Sequence, residues 1–183
     1  KEYLEENLVK GRYLHTLGVV ETAKDLAKRY GVDIKKAEIA ALAHDIAKNL
    51  SSEQLLKIIE ANNITLSVDE KNTRELWHSI VGPIVARERF GIVDEEILSA
   101  IRWHTTGKEN MSKLDKIIYL ADMIEPSRDF SMVEELRNDS KDDLDKAMLN
   151  ALTYTIKYLL EKGCLIDVNT VKARNYLLNN NYK

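Results

Sequence analysis

The residues of this chain that could do chemistry are few and widely spaced. There are 4 histidines, His15, His44, His78 and His104. Two aspartates stand out beside them. Asp45 follows His44 directly in an alanine-rich stretch, and Asp122 sits in the apolar run Ile118-Tyr119-Leu120-Ala121-Asp122-Met123. An ionised carboxylate in packed surroundings is costly unless something compensates its charge, and a divalent cation does so well. For His44-Asp45 taken alone, a carboxylate–imidazole hydrogen bond between two helices is explanation enough. Neutral imidazoles and carboxylates drawn from different helices suit iron, manganese or zinc, and a bridging carboxylate favours a pair of ions. Such a pair lowers the pKa of a shared water and draws phosphate oxygens into position. Hydrolysis on that plan needs no serine or cysteine nucleophile, and no triad or P-loop pattern is found in the sequence.

The elements that must position these side chains read as helices almost throughout. A first amphipathic stretch passes through Tyr3, Leu4 and Leu8. A second, from about Arg12 to Tyr30, places His15 and Val19 on its inward face and ends at Gly31. Asp33 is set to cap a helix containing Ala37, Ala40, Ala41, Ala43, Ile46 and Ala47, whose small residues imply close neighbours on several sides. Ser51 and Gln54 form a capping-box pattern ahead of Leu55–Ile59. A polar connection spans Asn62 to Thr73. A helix then runs through Ile84 and Phe90 to Gly91, with Pro83 expected in its first turn. Asp94-Glu95-Glu96 opens a helix ending near His104, and Ser112 with Asp115 opens another that stops before Pro126. A long amphipathic helix runs from Asp143 to Gly163, and a last one from about Asn169 to Leu178. His78 and His104 each follow a tryptophan, which suggests the wall of a packed cavity. The expected fold is all-α, one helical bundle over residues 1–183.

The order His15, His44-Asp45, His78, His104, Asp122 resembles the ligand order of the HD superfamily of metal-dependent phosphohydrolases. Within it, Arg12-Tyr-Leu-His15-Thr16-Leu-Gly18-Val19, His44-Asp45-Ile-Ala-Lys48, His104-Thr105-Thr106-Gly107 and Ala121-Asp122-Met-Ile-Glu125-Pro126-Ser-Arg128-Asp129-Phe130 resemble the YqeK group of bacterial symmetrical diadenosine tetraphosphate hydrolases. Two positions depart from that pattern. Ser79-Ile80 stands where Gly/Ala-Pro is expected, and Ser127 stands where glycine or asparagine is common.

The resemblance implies a di-iron centre, although ligand chemistry alone admits manganese or zinc equally. It implies that His15, His44, Asp45 and Asp122 hold one ion and that Asp45 bridges to a second, completed by His78 and His104. It also implies that metal-bound hydroxide cleaves diadenosine tetraphosphate to two ADP, with Asp45 and Lys48 as catalytic residues. Lys48 lies on the same helical face as His44 and Asp45, where it would serve as a cation for a phosphate; without the metal pattern it reads as a surface lysine. Thr105, Thr106 and Gly107 read as a substrate loop or as a plain helix-terminating turn. Arg128 and Arg137 fit distal phosphate contacts and surface ion pairs equally. Glu125 and Asp129 fit acids bracing the site or solvated caps. The rival readings are another HD nucleotidase or phosphodiesterase, a di-iron oxygenase, and a non-catalytic nucleotide-binding module.

Composition narrows the partners. The net charge of −3 provides no basic field for nucleic acid. There is no apolar run long enough to span a membrane and no signal-peptide pattern at the start, so the expected setting is cytoplasmic and the expected partner a small nucleotide. Cys164, the single cysteine, reads as a packed or half-exposed thiol rather than a nucleophile. The helix from Asp143 would present its apolar face either to a second copy, making a homodimer, or to the core.

Overall fold

Helix α1 (Lys10–Tyr30) buries Val19, Val20, Ala23, Leu26 and Ala27 along one stripe and stops at Gly31, whose φ of 67° is the left-handed conformation glycine adopts without strain. The computed structural model describes residues 10–181, so the stretch through Tyr3, Leu4 and Leu8 lies outside the described residues. Among the described residues every regular element is helical. No helix there is long and apolar enough to cross a membrane.

The Asp33 carboxylate accepts from Lys35 N at 2.7 Å and Lys36 N at 3.2 Å, opening α2 (Ile34–Ala43). Ala37, Ala40, Ala41 and Ala43 are all buried. A methyl group takes little room, so α1, α6 (Glu95–Trp103) and α7 (Lys113–Ile124) all come close to this helix. The α-helix does not continue to Ala47 as expected. From His44 to Leu50 the chain turns on i to i+3 bonds, Ile46 N to Ala43 O, Lys48 N to Asp45 O and Leu50 N to Ala47 O. This change of winding has a packing reason. Ala43 belongs to the main core built from α1, α2, α6, α7 and α9 (Leu144–Glu161), whereas Ala47 belongs to a smaller core with Leu55, Ile59, Leu66, Ile80, Val81 and Val85. His44 and Asp45 therefore sit at the seam between two hydrophobic clusters.

The capping box at Ser51 and Gln54 opens α3 (Ser52–Ala61) as expected. The connection from Asn62 to Thr73 is less plain than its polarity suggested. A second capping box, Ser67 with Glu70, opens α4 (Val68–Asn72), and a 3-10 turn at Arg74–Leu76 leads directly into α5 (Trp77–Phe90). Pro83 therefore lies inside α5 rather than in its first turn. Gly82 beside it is required by packing, since a Cβ there would stand 2.8 Å from Ile101 Cγ2 of α6.

Helix α7 is almost wholly buried, with Ile117, Ile118, Leu120 and Ala121 at 0% exposure. Helix α8 (Val133–Asp142) was hidden by its charge, but Val133, Leu136 and Ser140 turn inward. It is tied to α9 by Asp139, which accepts from Lys146 Nζ and Asn150 Nδ2, each at 2.8 Å. The apolar face of α9 (Leu144, Ala147, Met148, Ala151, Leu152) is spent in the core. Helix α10 (Val168–Asn181) runs a little beyond its expected end.

Candidate metal centre

The four imidazoles stand in a row at the seam. Ring centroids of His15 and His44 are 5.6 Å apart, His44 and His104 5.1 Å, and His104 and His78 5.1 Å. Helices α1 and α5 and the turns that follow α2 and α6 contribute them, and three of the four rings are oriented by one rule. Nδ1 of His44 donates to the Ala41 carbonyl at 2.7 Å, Nδ1 of His104 donates to the Ile101 carbonyl at 2.8 Å, and Nδ1 of His15 meets Glu125 Oε1 at 2.9 Å. A proton committed to Nδ1 leaves Nε2 as the lone-pair donor. Those Nε2 atoms face the two aspartates.

One ligand atom from each of His15, His44 and Asp122 lies within 4.8 Å of the others, and the same holds for Asp45, His78 and His104. Asp45 spans the groups. Its Oδ1 is 3.1 Å from His78 Nε2 and 3.5 Å from His104 Nε2, while its Oδ2 is 3.8 Å from His44 Nε2. Asp122 Oδ1 lies 3.0 Å from His15 Nε2. His44 Nε2 and Asp45 Oδ1 are buried without a hydrogen bond of acceptable geometry. Buried polar atoms are seldom left so, and a cation would satisfy both. The residues present thus fit divalent metal binding.

Electrostatics agree with that fit. Burial would push the Asp45 carboxyl up, but His44, His104 and His78 around it outweigh this and hold it far below the carboxylate range. Asp122 behaves alike: burial opposes its charge, and the His15 contact with the nearby imidazoles and Arg128 reverses the balance. Burial drives His44 down against the pull of Asp45 and Asp122. It takes His78 down to about 4, helped by His104 and Lys48. Imidazoles that stay neutral beside carboxylates that stay charged are what a divalent ion requires. His15 moves opposite to His44 and His78: burial lowers it, but hydrogen bonds to Asp122 and Glu125 win and raise it.

Glu125 is 1% exposed and is no solvated cap. Besides His15 it accepts from Ser127 N at 2.7 Å and from Ser127 Oγ at 2.5 Å. The departure at Ser127 thus adds a donor to this carboxylate. Ser79, the other departure, donates to Leu76 O at 2.8 Å and lies 3.0 Å from the Thr105 hydroxyl.

The remaining expected substrate residues separate. Lys48 Nζ reaches His78 Nε2 at 3.1 Å and Asp45 Oδ1 at 3.6 Å, although its segment is turn rather than helix. Arg128 lies against the cluster, with Nη2 2.5 Å from Asp122 Oδ1 and Nε 2.8 Å from Asp122 O. Thr105 and Thr106 line a cavity of about 390 Å³ that also includes Leu76, Thr155 and the exposed Cys164. Two expectations need correcting. Gly107 offers no free amide, because its N–H donates to Trp103 O at 2.9 Å, and a Cβ there would crowd Ala173, Met111 and Leu152. Arg137 turns its guanidinium onto the carbonyls of Ile124, Glu125 and Arg128, at 2.9, 2.8 and 3.1 Å, so it braces the loop after α7.

Two cations went unnoticed at the sequence level. A cavity of about 190 Å³ beside His78 and Lys48 is also lined by Arg12 and Arg74. Arg12 stood in the motif before His15, and its side chain bonds Asn49. Arg74 lay just past the polar connection that ends at Thr73, with no local signal to mark it.

Known proteins place this arrangement. The family model described as HD domain matches residues 12–127. The chain is 44% identical over 181 residues to a symmetrical bis(5'-nucleosyl)-tetraphosphatase of Halalkalibacterium halodurans, covering 97% of this chain and 94% of that protein. It is 40% identical over 175 residues to the protein of the same name from Bacillus subtilis, covering 96% and 94%. A crystal structure of a predicted HD superfamily hydrolase involved in NAD metabolism, from Clostridium acetobutylicum, superposes with a TM-score of 0.95 at 45% identity, over 98% of this chain and 95% of that one. The chain belongs to the HD domain family, in the group that holds the symmetrical bis(5'-nucleosyl)-tetraphosphatases.

Proposed function

We propose that this protein is a symmetrical bis(5'-nucleosyl)-tetraphosphatase, hydrolysing diadenosine tetraphosphate to two ADP. Water attacks an inner phosphorus, the central P–O–P bridge breaks, and each half leaves as a nucleoside diphosphate. The whole chain acts as one HD unit, and its nucleotide substrate belongs to the cytoplasm. The observation that carries the reading is the pair of three-residue clusters joined by Asp45, with the cationic cavity of Lys48, Arg12 and Arg74 opening beside them. The names of the full-length relatives supply the substrate.

In this reading His15, His44, Asp45 and Asp122 would hold one divalent ion, iron by family resemblance, and Asp45, His78 and His104 would hold a second. When bound, such ions lower the pKa of water and offset charge on phosphate oxygens. The chain's own residues do the rest. Ala41 O, Ile101 O and Glu125 fix the rings of His44, His104 and His15. Lys48, adjacent to both Asp45 and His78, receives a phosphate oxygen as a compact cation, and Arg12 and Arg74 extend that positive wall. Thr105 and Thr106 shape the neighbouring cavity, and Arg128 orients Asp122.

The test is chromatography of the products from anaerobically purified, iron- or manganese-loaded enzyme. ADP alone is expected. AMP with ATP would contradict the symmetrical cut, and no turnover with either metal would remove the assignment. Metal analysis of the same preparation should find two ions per chain.

A further inference from the structure

Arg128 faces two ways. On one side its guanidinium holds Asp122, and on the other it lines a cavity of about 370 Å³ with Met123, Phe130, Tyr154, Thr155 and Tyr158. Three aromatic rings of that cavity form a continuous row. Phe130 and Tyr154 have centroids 4.9 Å apart at 32°, and Tyr154 and Tyr158 stand 6.5 Å apart at 19°. Tyr154 and Tyr158 lie one turn apart on α9, so the helix presents both on one side. The row is anchored at its inner end, where Phe130 packs against the main core. Its outer end is open, with Tyr158 at 47% exposure and Lys162 Nζ 5.7 Å from its ring.

Beyond Phe130, the core needs little of this row. The apolar face of α9 is already buried through Met148 and Leu152, and Tyr158 contributes little to it. Aromatic rings left partly wet, with Lys162 over the outermost ring and Arg128 in the same cavity, form the surface that a nucleotide base and its phosphates would cover. Continuity with the candidate metal centre through Arg128 and Asp122 sets which part of the ligand arrives here. Phosphates lie at the cluster, and the base lies outward along the rings.

We infer that the wall of Phe130, Tyr154 and Tyr158 is the subsite for the nucleobase of one arm of the substrate, with Arg128 at its junction with the phosphates. This rests on the nucleotide reading above and adds its specificity. Stacking uses the π-face, which every base has, so the subsite favours purines by area and distinguishes adenine from guanine poorly.

Calorimetric titration of the metal-loaded protein with ADP, GDP and inorganic pyrophosphate tests this without depending on turnover. Tyr158→Ala, an exposed position, should weaken ADP by about tenfold and leave pyrophosphate unchanged. Tyr154→Leu should act in the same direction, with metal content and melting temperature recorded to separate packing from stacking. ADP and GDP should bind wild type within a few-fold of one another. Equal losses for ADP and pyrophosphate, no loss for ADP in Tyr158→Ala, or no ADP binding by wild type would each overturn the subsite. If wild type binds ADP but does not release it from diadenosine tetraphosphate, the reaction assignment fails and the subsite stands.

Discussion

Glu125 Oε1 and His15 Nδ1 meet at 2.9 Å although 110 residues separate them in the chain. Burial works against the charge of Glu125, but Ser127 and His15 outweigh it and hold this carboxyl below its usual range. The consequence is an imidazole whose Nε2 is aimed at Asp122 and His44. Replacing Glu125 by Gln keeps the size and removes the charge that orients the ring. Metal affinity should fall by about tenfold to a hundredfold, as is usual when such a supporting carboxylate is lost. Metal titration followed by competition with a chelator measures it; unchanged affinity would mean that Glu125 only anchors the loop.

The same carboxylate explains a small residue. A Cβ on Gly18 would stand 2.6 Å from Glu125 Oε2, an atom already tied to Ser127 N. Gly18→Ala should therefore destabilise the fold by about 1–3 kcal/mol through overpacking. It should also lower metal occupancy, because Glu125 has to shift. Urea denaturation and metal analysis of one preparation would show whether the two losses travel together.

Asp45 and Lys48 should separate metal loading from phosphate handling. Asp45→Ala removes the carboxylate whose two oxygens face the two clusters, and both metal content and activity should vanish. Lys48→Ala should retain its metal while losing about tenfold to a hundredfold in kcat/KM, the range for a charge-assisted contact. Full activity in Lys48→Ala would leave the lysine without a role in the reaction.

Far from this site, Asp139 supplies a pH-dependent term. Burial raises its carboxyl, but Lys146 and Asn150 outweigh burial and depress it. A carboxylate depressed on folding stabilises the protein above its unfolded value and loses that contribution as pH falls through the folded one. The stability gap between wild type and Asp139→Asn should thus be widest near neutral pH. It should close as pH drops below about 4, where an unperturbed aspartate titrates. A gap that persists at low pH would assign the effect to the Asn150 hydrogen bond instead of the charge.

Met148, at 0% exposure on α9, reports on the main core. Truncation to Ala should cost about 2–5 kcal/mol. The melting temperature should fall while metal content at low temperature stays the same, since Met148 is not one of the six candidate ligands.

What the amino-acid order determined here is local. Asp33, Ser51, Asp94 and Ser112 mark helix starts because a side-chain oxygen satisfies amides two or three residues away, and Gly31 and Gly91 mark stops through their backbone freedom. The histidines and Asp122 were legible too, since an acid in an apolar run is expensive without a partner. The Ser67–Glu70 box could have been read by the same logic, and it would have revealed α4. Tertiary structure decided the rest. Whether Glu125 is a cap or a brace, and Arg137 a phosphate ligand or a loop anchor, depends on neighbours that sequence spacing does not encode. Arg12 and Arg74 share a cavity only because α1 and the 3-10 turn ahead of α5 flank the His44–Leu50 segment. That segment abandons the helix because Ala43 and Ala47 pack into different cores, and a helical period cannot announce such a division in advance.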